Sequence, residues 1–235
     1  MKLVHVGVIS TSLVIAIGVS LVAPALILPH MPQVHPVFLS FAITDSYNLP
    51  YWCNDLSDVL KKFDAKATVF ISGNLAEKYP DCVTVFGKNA QIGSMTYNYV
   101  SLPNSDYLLQ LDEVQHGKQA IDTIGNLDSK AFRAPFSQTD QNIYSLLTRS
   151  GIIADFSYND HFNIYENGQF VKYGLKTFNN PSEITLSDKP IISQFLFVNT
   201  YPIEDISNTI SELKSHNAQF VTSADLTSNP IGRGF

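Results

Sequence analysis

Hydrolytic or metal chemistry needs ligands, nucleophiles or acid–base pairs at workable spacings, and this chain offers few. Its six histidines stand at 5, 30, 35, 116, 161 and 216, and none falls in an HxxxH or HxH pair. Cys53 and Cys82 make neither a CxxC pair nor part of a Cys/His zinc pattern. The stretch QIGSMTYNYVSL, residues 91–102, reads like the run-up to a metal site, with Gly93 closing a buried strand and small and polar residues after it. Yet it holds no His, Cys or carboxylate. Tyr47, Tyr51, Trp52, Tyr97, Tyr99 and Phe136 gather near expected strand ends. Aromatic rings stack on sugar faces, and they also pack rims, so this set reads as a glycan platform or as structure. His161, beside Asp160, is the one imidazole near that rim and reads first as loop surface.

Composition narrows the partners. The net charge is −6 and no Lys/Arg run occurs, which excludes a nucleic-acid partner, since phosphates call for clustered cations. From Leu3 to Leu28 no formally charged residue appears, and Lys2 precedes the run. That is longer than the roughly 20 residues that span a bilayer. Residues 1–29 therefore read as a signal anchor, with the positive end inside and the rest of the chain extracytoplasmic. Ala23-Pro24-Ala25 resembles a cleavage site, and cleavage there would make the protein secreted. Outside the cytoplasm Cys53 and Cys82 are able to pair; two buried thiols is the other reading. Residues 30–37 form a Pro-rich, stiff linker.

The remainder alternates strand and helix. Buried strands are expected at VFLSFAITD (37–45), AKATVFIS, AQIGSM, AFRAPF, IIADFSY, PIISQFLFVN and AQFVT, with a hairpin within 161–186. Between them lie a helix capped by Asn54 with Leu56, Val59, Leu60 and Phe63 on one face, a long helix over about 105–125, and helices at QNIYSLLTRSG and around Ile206, Ile210 and Leu213. This order implies an α/β fold with a parallel sheet: a distorted (β/α) barrel of about seven strands over residues 38–227, followed by a tail at 228–235. Function would then sit at the C-terminal ends of the strands.

The wording of the strand ends resembles the NodB-type polysaccharide deacetylases. LSFAITDSYN is similar to the family's LTFDDGYN, and ATVFISGNLAEKYPDCV to its ATFFV…N…KYPELV. QIGSMTYNYVSL is similar to EIGNHTYSHPSL, FRAPFS to FRPPYG, and DFSYND to an Asp-containing loop DxSxxD; TYPIEDISNTISELKSHNAQFVTSADL resembles the closing helix and strand. The resemblance implies removal of acetyl groups from N- or O-acetylated glycans, with a divalent metal, usually zinc, on one Asp and two His. It also implies an Asp as general base and a late-strand His as general acid, both oriented by an Arg and an Asp.

Position by position the chain departs from that pattern. Thr44 stands at the base position, while Asp45 keeps the metal Asp. Met95 and Tyr99 replace the two His ligands, and the late His falls on Gln194 or Val198. Arg133 and Asp155 are kept, and read most simply as an ion pair closing the barrel mouth. A thioether is a poor zinc ligand and a phenol must lose a proton to bind well. The expectation is therefore a membrane-tethered pseudoenzyme without a metal cofactor, binding cell-surface polysaccharide or an envelope protein. Substrate contacts are expected from Tyr47, Trp52, Tyr97, Tyr99, Arg133 and Phe136. The alternative is a divergent active carbohydrate deacetylase, which would need zinc.

Overall fold

Strand β1 (His35–Ala42) is apolar on both faces, as a strand must be when the barrel interior lies on one side and helices on the other. The structure, a computed structural model, describes residues 35–103, 105–183 and 192–229. The expected span within 1–29 lies outside them. Among the described residues no helix is long and apolar enough to cross a membrane. His35 and Pro36, read from sequence as the end of a linker, are already strand and pair with Ala218 and Gln219.

In chain order the other strands are β2 (Ala67–Ile71), β3 (Ala90–Ser94), β4 (Ala131–Phe132), β5 (Ala154–Asp155), β6 (His161–Glu166), β7 (Gln169–Thr177), β8 (Ile192–Val198) and β9 (Ala218–Val221). Strands β1 to β8 close on themselves, because β1 pairs with β8 along one edge and with β2 at the upper end of the other. β9 takes the lower end of that second edge. All pairings are parallel except those on either side of β6, where the expected hairpin turns back through Asn167 and Gly168 at positive φ. The expected distorted barrel is thus present, closing with eight strands.

Seven helices flank it: α1 (Leu49–Phe63), α2 (Gly73–Lys78), α3 (Asp81–Thr84), α4 (Tyr107–Gly125), α5 (Ile143–Arg149), α6 (Ile203–Ser215) and α7 (Ser223–Ser228) among the described residues. α1 begins a turn earlier than its expected cap. Pro50 sits in its first turn, where a missing N–H costs nothing, and Asn54 lies inside the helix with its amide on the Pro50 carbonyl. Alternation along β1 sends Val37, Leu39, Phe41 and Ile43 to the helix side and Phe38 and Ala42 to the interior. Inside, Phe38, Phe70, Phe156, Phe162 and Tyr173 form a continuous ring chain, with successive centroids 4.9 to 5.9 Å apart. The barrel is a packed core, not a pore. Gly93 is required by it: a Cβ there would lie 2.4 Å from the Phe70 ring.

Candidate functional site at the barrel mouth

The loops beyond the upper ends of β1, β3, β4, β5 and β8 build the site. Because Ala42 is paired with Val198, the residues just past the ends of β1 and β8 meet. They are Thr44 and Asn199. The Thr44 N–H and hydroxyl both donate to Asn199 Oδ1, at 2.8 and 2.9 Å. Asn199 Nδ2 donates back to the Thr44 carbonyl at 2.9 Å and to Ser46 Oγ at 3.0 Å. The amide is fully used in a clamp between β1 and β8. Thr44, the base position, is therefore a strut in that clamp.

Asn199 is also the residue that sequence reasoning missed. Gln194 is buried within β8 and donates to Thr177 Oγ1, and Val198 packs against the interior core, so neither faces Thr44. The signal available was a polar residue directly after the apolar run ISQFLFV.

Asp45, one residue on, points away from the clamp. Its carboxylate pairs with Lys78 Nζ at 2.9 Å, and Lys78 lies over the Tyr79 ring. Asp45 and Tyr79 together raise the Lys78 pKa, the Asp45 hydrogen bond being the larger cause.

After β3, Met95 is 1% exposed and belongs to the interior core. Tyr99 is half-buried against the same core, with its ring edge-on to Phe136 at 5.1 Å. Both members of that pair hold positive φ, 57° and 59°, and Ser137 follows at 55°. Such conformations cost of order 1–3 kcal/mol each and persist only where the surroundings impose them. Burial raises the Tyr99 phenol pKa, more than the nearby Arg133 lowers it.

Arg133 and Asp155 are both buried, but no ion pair joins them. The guanidinium donates to the Phe156 carbonyl at 2.8 Å and to Asn159 Oδ1 at 3.2 Å. Asp155 Oδ1 accepts from the Ser157 N–H and hydroxyl, while its Oδ2 is buried without a partner. Desolvation explains both titrations. Burial lowers Arg133 to about 10 despite the field of Asp155, and raises Asp155 despite Ser157, His161 and Arg133. Arg133 lies just past β4, two residues after the interior-facing Ala131, whereas Asp155 alternates with the interior-facing Ala154 and Phe156, and the guanidinium turns to the Phe156 carbonyl instead.

These directions carry a pH prediction. A carboxyl with a raised folded pKa contributes stability that is full below its unfolded value and is lost as pH rises through the folded value. Asp155→Asn keeps an oxygen for Ser157 and removes the charge. It is expected to be more stable than the parent at pH 7 by about 1–2 kcal/mol, with the gain vanishing towards pH 3. Urea unfolding across that range checks it; a loss that grows as pH rises from 3 to 7 would show that a counter-charge uses the carboxylate.

Two expected contact residues lie elsewhere. Trp52 is core: 8% exposed, edge-on to Phe41 and donating Nε1–H to the Tyr201 carbonyl at 3.3 Å. Tyr97 donates its hydroxyl to Glu77 at 2.8 Å and lines an outer groove with His116, away from Met95 and Phe136. Tyr47 is 97% exposed on the loop before α1. Of the expected aromatic set, Tyr99 and Phe136 are the pair brought together at the mouth. His161 stacks on Tyr158 and its Nδ1–H donates to Asp160 Oδ1 at 2.6 Å, at the start of β6.

The chain matches the family model for polysaccharide deacetylase over residues 33–154, just over half its length. It is a member of that family. Its fold is similar to that of the peptidoglycan deacetylase PdaC from Bacillus subtilis, at 16% identity and a TM-score of 0.63, over 84% of this chain and 92% of that one. A family 4 carbohydrate esterase from Streptomyces lividans, in complex with acetate, matches at 16% identity and 0.61, over 85% and 98%. A pseudoenzyme of carbohydrate esterase family 4 from Bacillus anthracis matches at 14% and 0.64, over 84% and 66%, and a mutant of it has restored enzymatic activity. No curated protein sequence matches the chain.

Membership raises the question of a divalent metal on Asp45, Met95 and Tyr99. The donors do not fit one. The carboxylate is committed to Lys78, the thioether is packed into an apolar core, and the phenol is held neutral by burial. Among the described residues no three of His, Cys, Asp and Glu are grouped to hold an ion.

Proposed function

We propose that this deacetylase-family barrel binds an extracytoplasmic polysaccharide at its mouth without hydrolysing it. One observation carries the reading: the positions that would supply base, acid and ligands are each engaged in another contact. Thr44 and Asn199 hold each other, Asp45 holds Lys78, and Met95 and Tyr99 pack the core. The strained Tyr99–Phe136 pair, with Phe136 62% exposed, offers a ring face to a sugar. The apolar run over Leu3–Leu28 and the paired cysteines support placement outside the cytoplasmic membrane, tethered by that segment. A pseudoenzyme on the same fold supplies the precedent.

The test offers N-acetylglucosamine hexamer to the full-length chain and follows acetate release and binding separately. Binding without acetate above background is expected, with Phe136→Ala weakening it. Acetate release that Asp45→Ala abolishes would mean an active deacetylase with another ligand set.

A further inference from the structure

We infer that the outer wall of the barrel carries a second glycan-binding groove, between α5 and the β6–β7 hairpin, for a neutral chain of pyranose sugars. This deepens the proposed function and rests on its reading that the ligand is a polysaccharide.

The groove is about 510 Å³ and is walled by three rings from three elements, α5, β6 and β7. Tyr165 and Phe170 are directly opposed across the hairpin. Phe170 stacks on Tyr144 of α5 at 4.5 Å and meets Tyr165 at 5.3 Å. Phe170 thus fixes the two tyrosines, and each remains 36% exposed, so ring surface is left for a ligand. The turn at Asn167 and Gly168, both at positive φ, sets Gln169 at the groove's end. Thr148 and Arg149 edge the other side.

The chemistry selects the ligand. A pyranose presents C–H faces to rings and hydroxyls at its rim, which is the division this groove makes between its walls and edges. It holds no carboxylate in its lining, and its one cation, Arg149, lies 6.0 Å over the Tyr107 ring. A charged ligand would find little to pair with there. The groove also differs from the mouth in position, since α5 and the hairpin turn contribute none of the residues clamped around Thr44 and Asn199.

The experiment titrates the full-length chain with N-acetylglucosamine hexamer by calorimetry. Two sites are expected. Tyr165→Ala should weaken one by about three- to tenfold, the worth of an aromatic contact, while Tyr165→Phe leaves it unchanged. Phe136→Ala should affect only the other. If Tyr165→Ala and Arg149→Ala both bind like the parent and only Phe136→Ala loses a site, the groove is not a glycan site, and the mouth reading stands. If only Tyr165→Ala loses a site, the groove stands and the mouth reading falls. No binding of hexamer by a parent of normal thermal stability would overturn both.

Discussion

The double variant Met95→His, Tyr99→His is expected to hold equimolar zinc where the unmodified chain holds none. Both positions lie in the loop that follows β3, and Asp45 follows β1, which is linked to β3 through β2. Replacing a thioether and a neutral phenol with two imidazoles changes the donor set from one usable ligand to three, the number found in open zinc sites. Lys78 competes for the carboxylate, so adding Lys78→Met should tighten the metal a few-fold, and Asp45→Ala should release it. Elemental analysis after chelator-free purification reads these proteins and Asp45→Ala of the unmodified chain. Equimolar zinc in the unmodified chain, lost on Asp45→Ala, would sink the argument. So would a folded double variant that takes up no zinc, because the loop after β3 would then not be the frame of a metal site.

Restoring catalysis is a larger step than restoring metal, and the clamp explains why. A base would have to enter at Thr44, whose side chain now bonds Asn199 at the end of β8, and any acid facing it would displace that partner. Losing the clamp strips the Thr44 N–H of its partner and costs about 2 kcal/mol. The metal ligands at Met95 and Tyr99 can therefore be rebuilt without the clamp, whereas the acid–base pair cannot.

Much of the fold was legible because each strand is a short apolar run ending in a distinctive polar loop, and the order of those runs allows few topologies. The disulfide partners were legible because the chain has two cysteines. The mouth was less so. Gln194 and Val198 lie within β8 and Asn199 just past its end, and a shift of one residue along a strand reverses the face presented, so the clamp could not be read without the register. Trp52 was misplaced for a smaller reason. It shares a helical face with Leu49, Leu56 and Leu60, which the sequence already displayed, but starting the helix at Asn54 cut it from that pattern. Arg133 and Asp155 exposed a different limit: opposite charges in motif order do not specify whether the two side chains leave their strands on the same face.

The second large effect concerns the one covalent tie. Cys53 in α1 and Cys82 in α3 are bonded, with Cα atoms 5.4 Å apart, and both are fully buried. The bridge closes a loop of 29 residues that includes β2 and α2, two of the elements under the mouth. By chain entropy, a loop of that length is worth about 3–4 kcal/mol. The double variant Cys53→Ala, Cys82→Ala is therefore expected to lose about that much in urea unfolding. In a domain of this size the melting temperature should fall by about 7–14 °C. Because both sulfurs are buried, mild reductant should leave the folded parent intact and act only once denaturant opens it. On the same arithmetic a chain kept reduced would fold with a large share of a typical 5–15 kcal/mol stability removed. Two free thiols titrated in the unfolded, unreduced parent would refute the bridge. An unchanged urea midpoint in the double variant would instead show that packing of α1 on α3 alone holds this part of the wall.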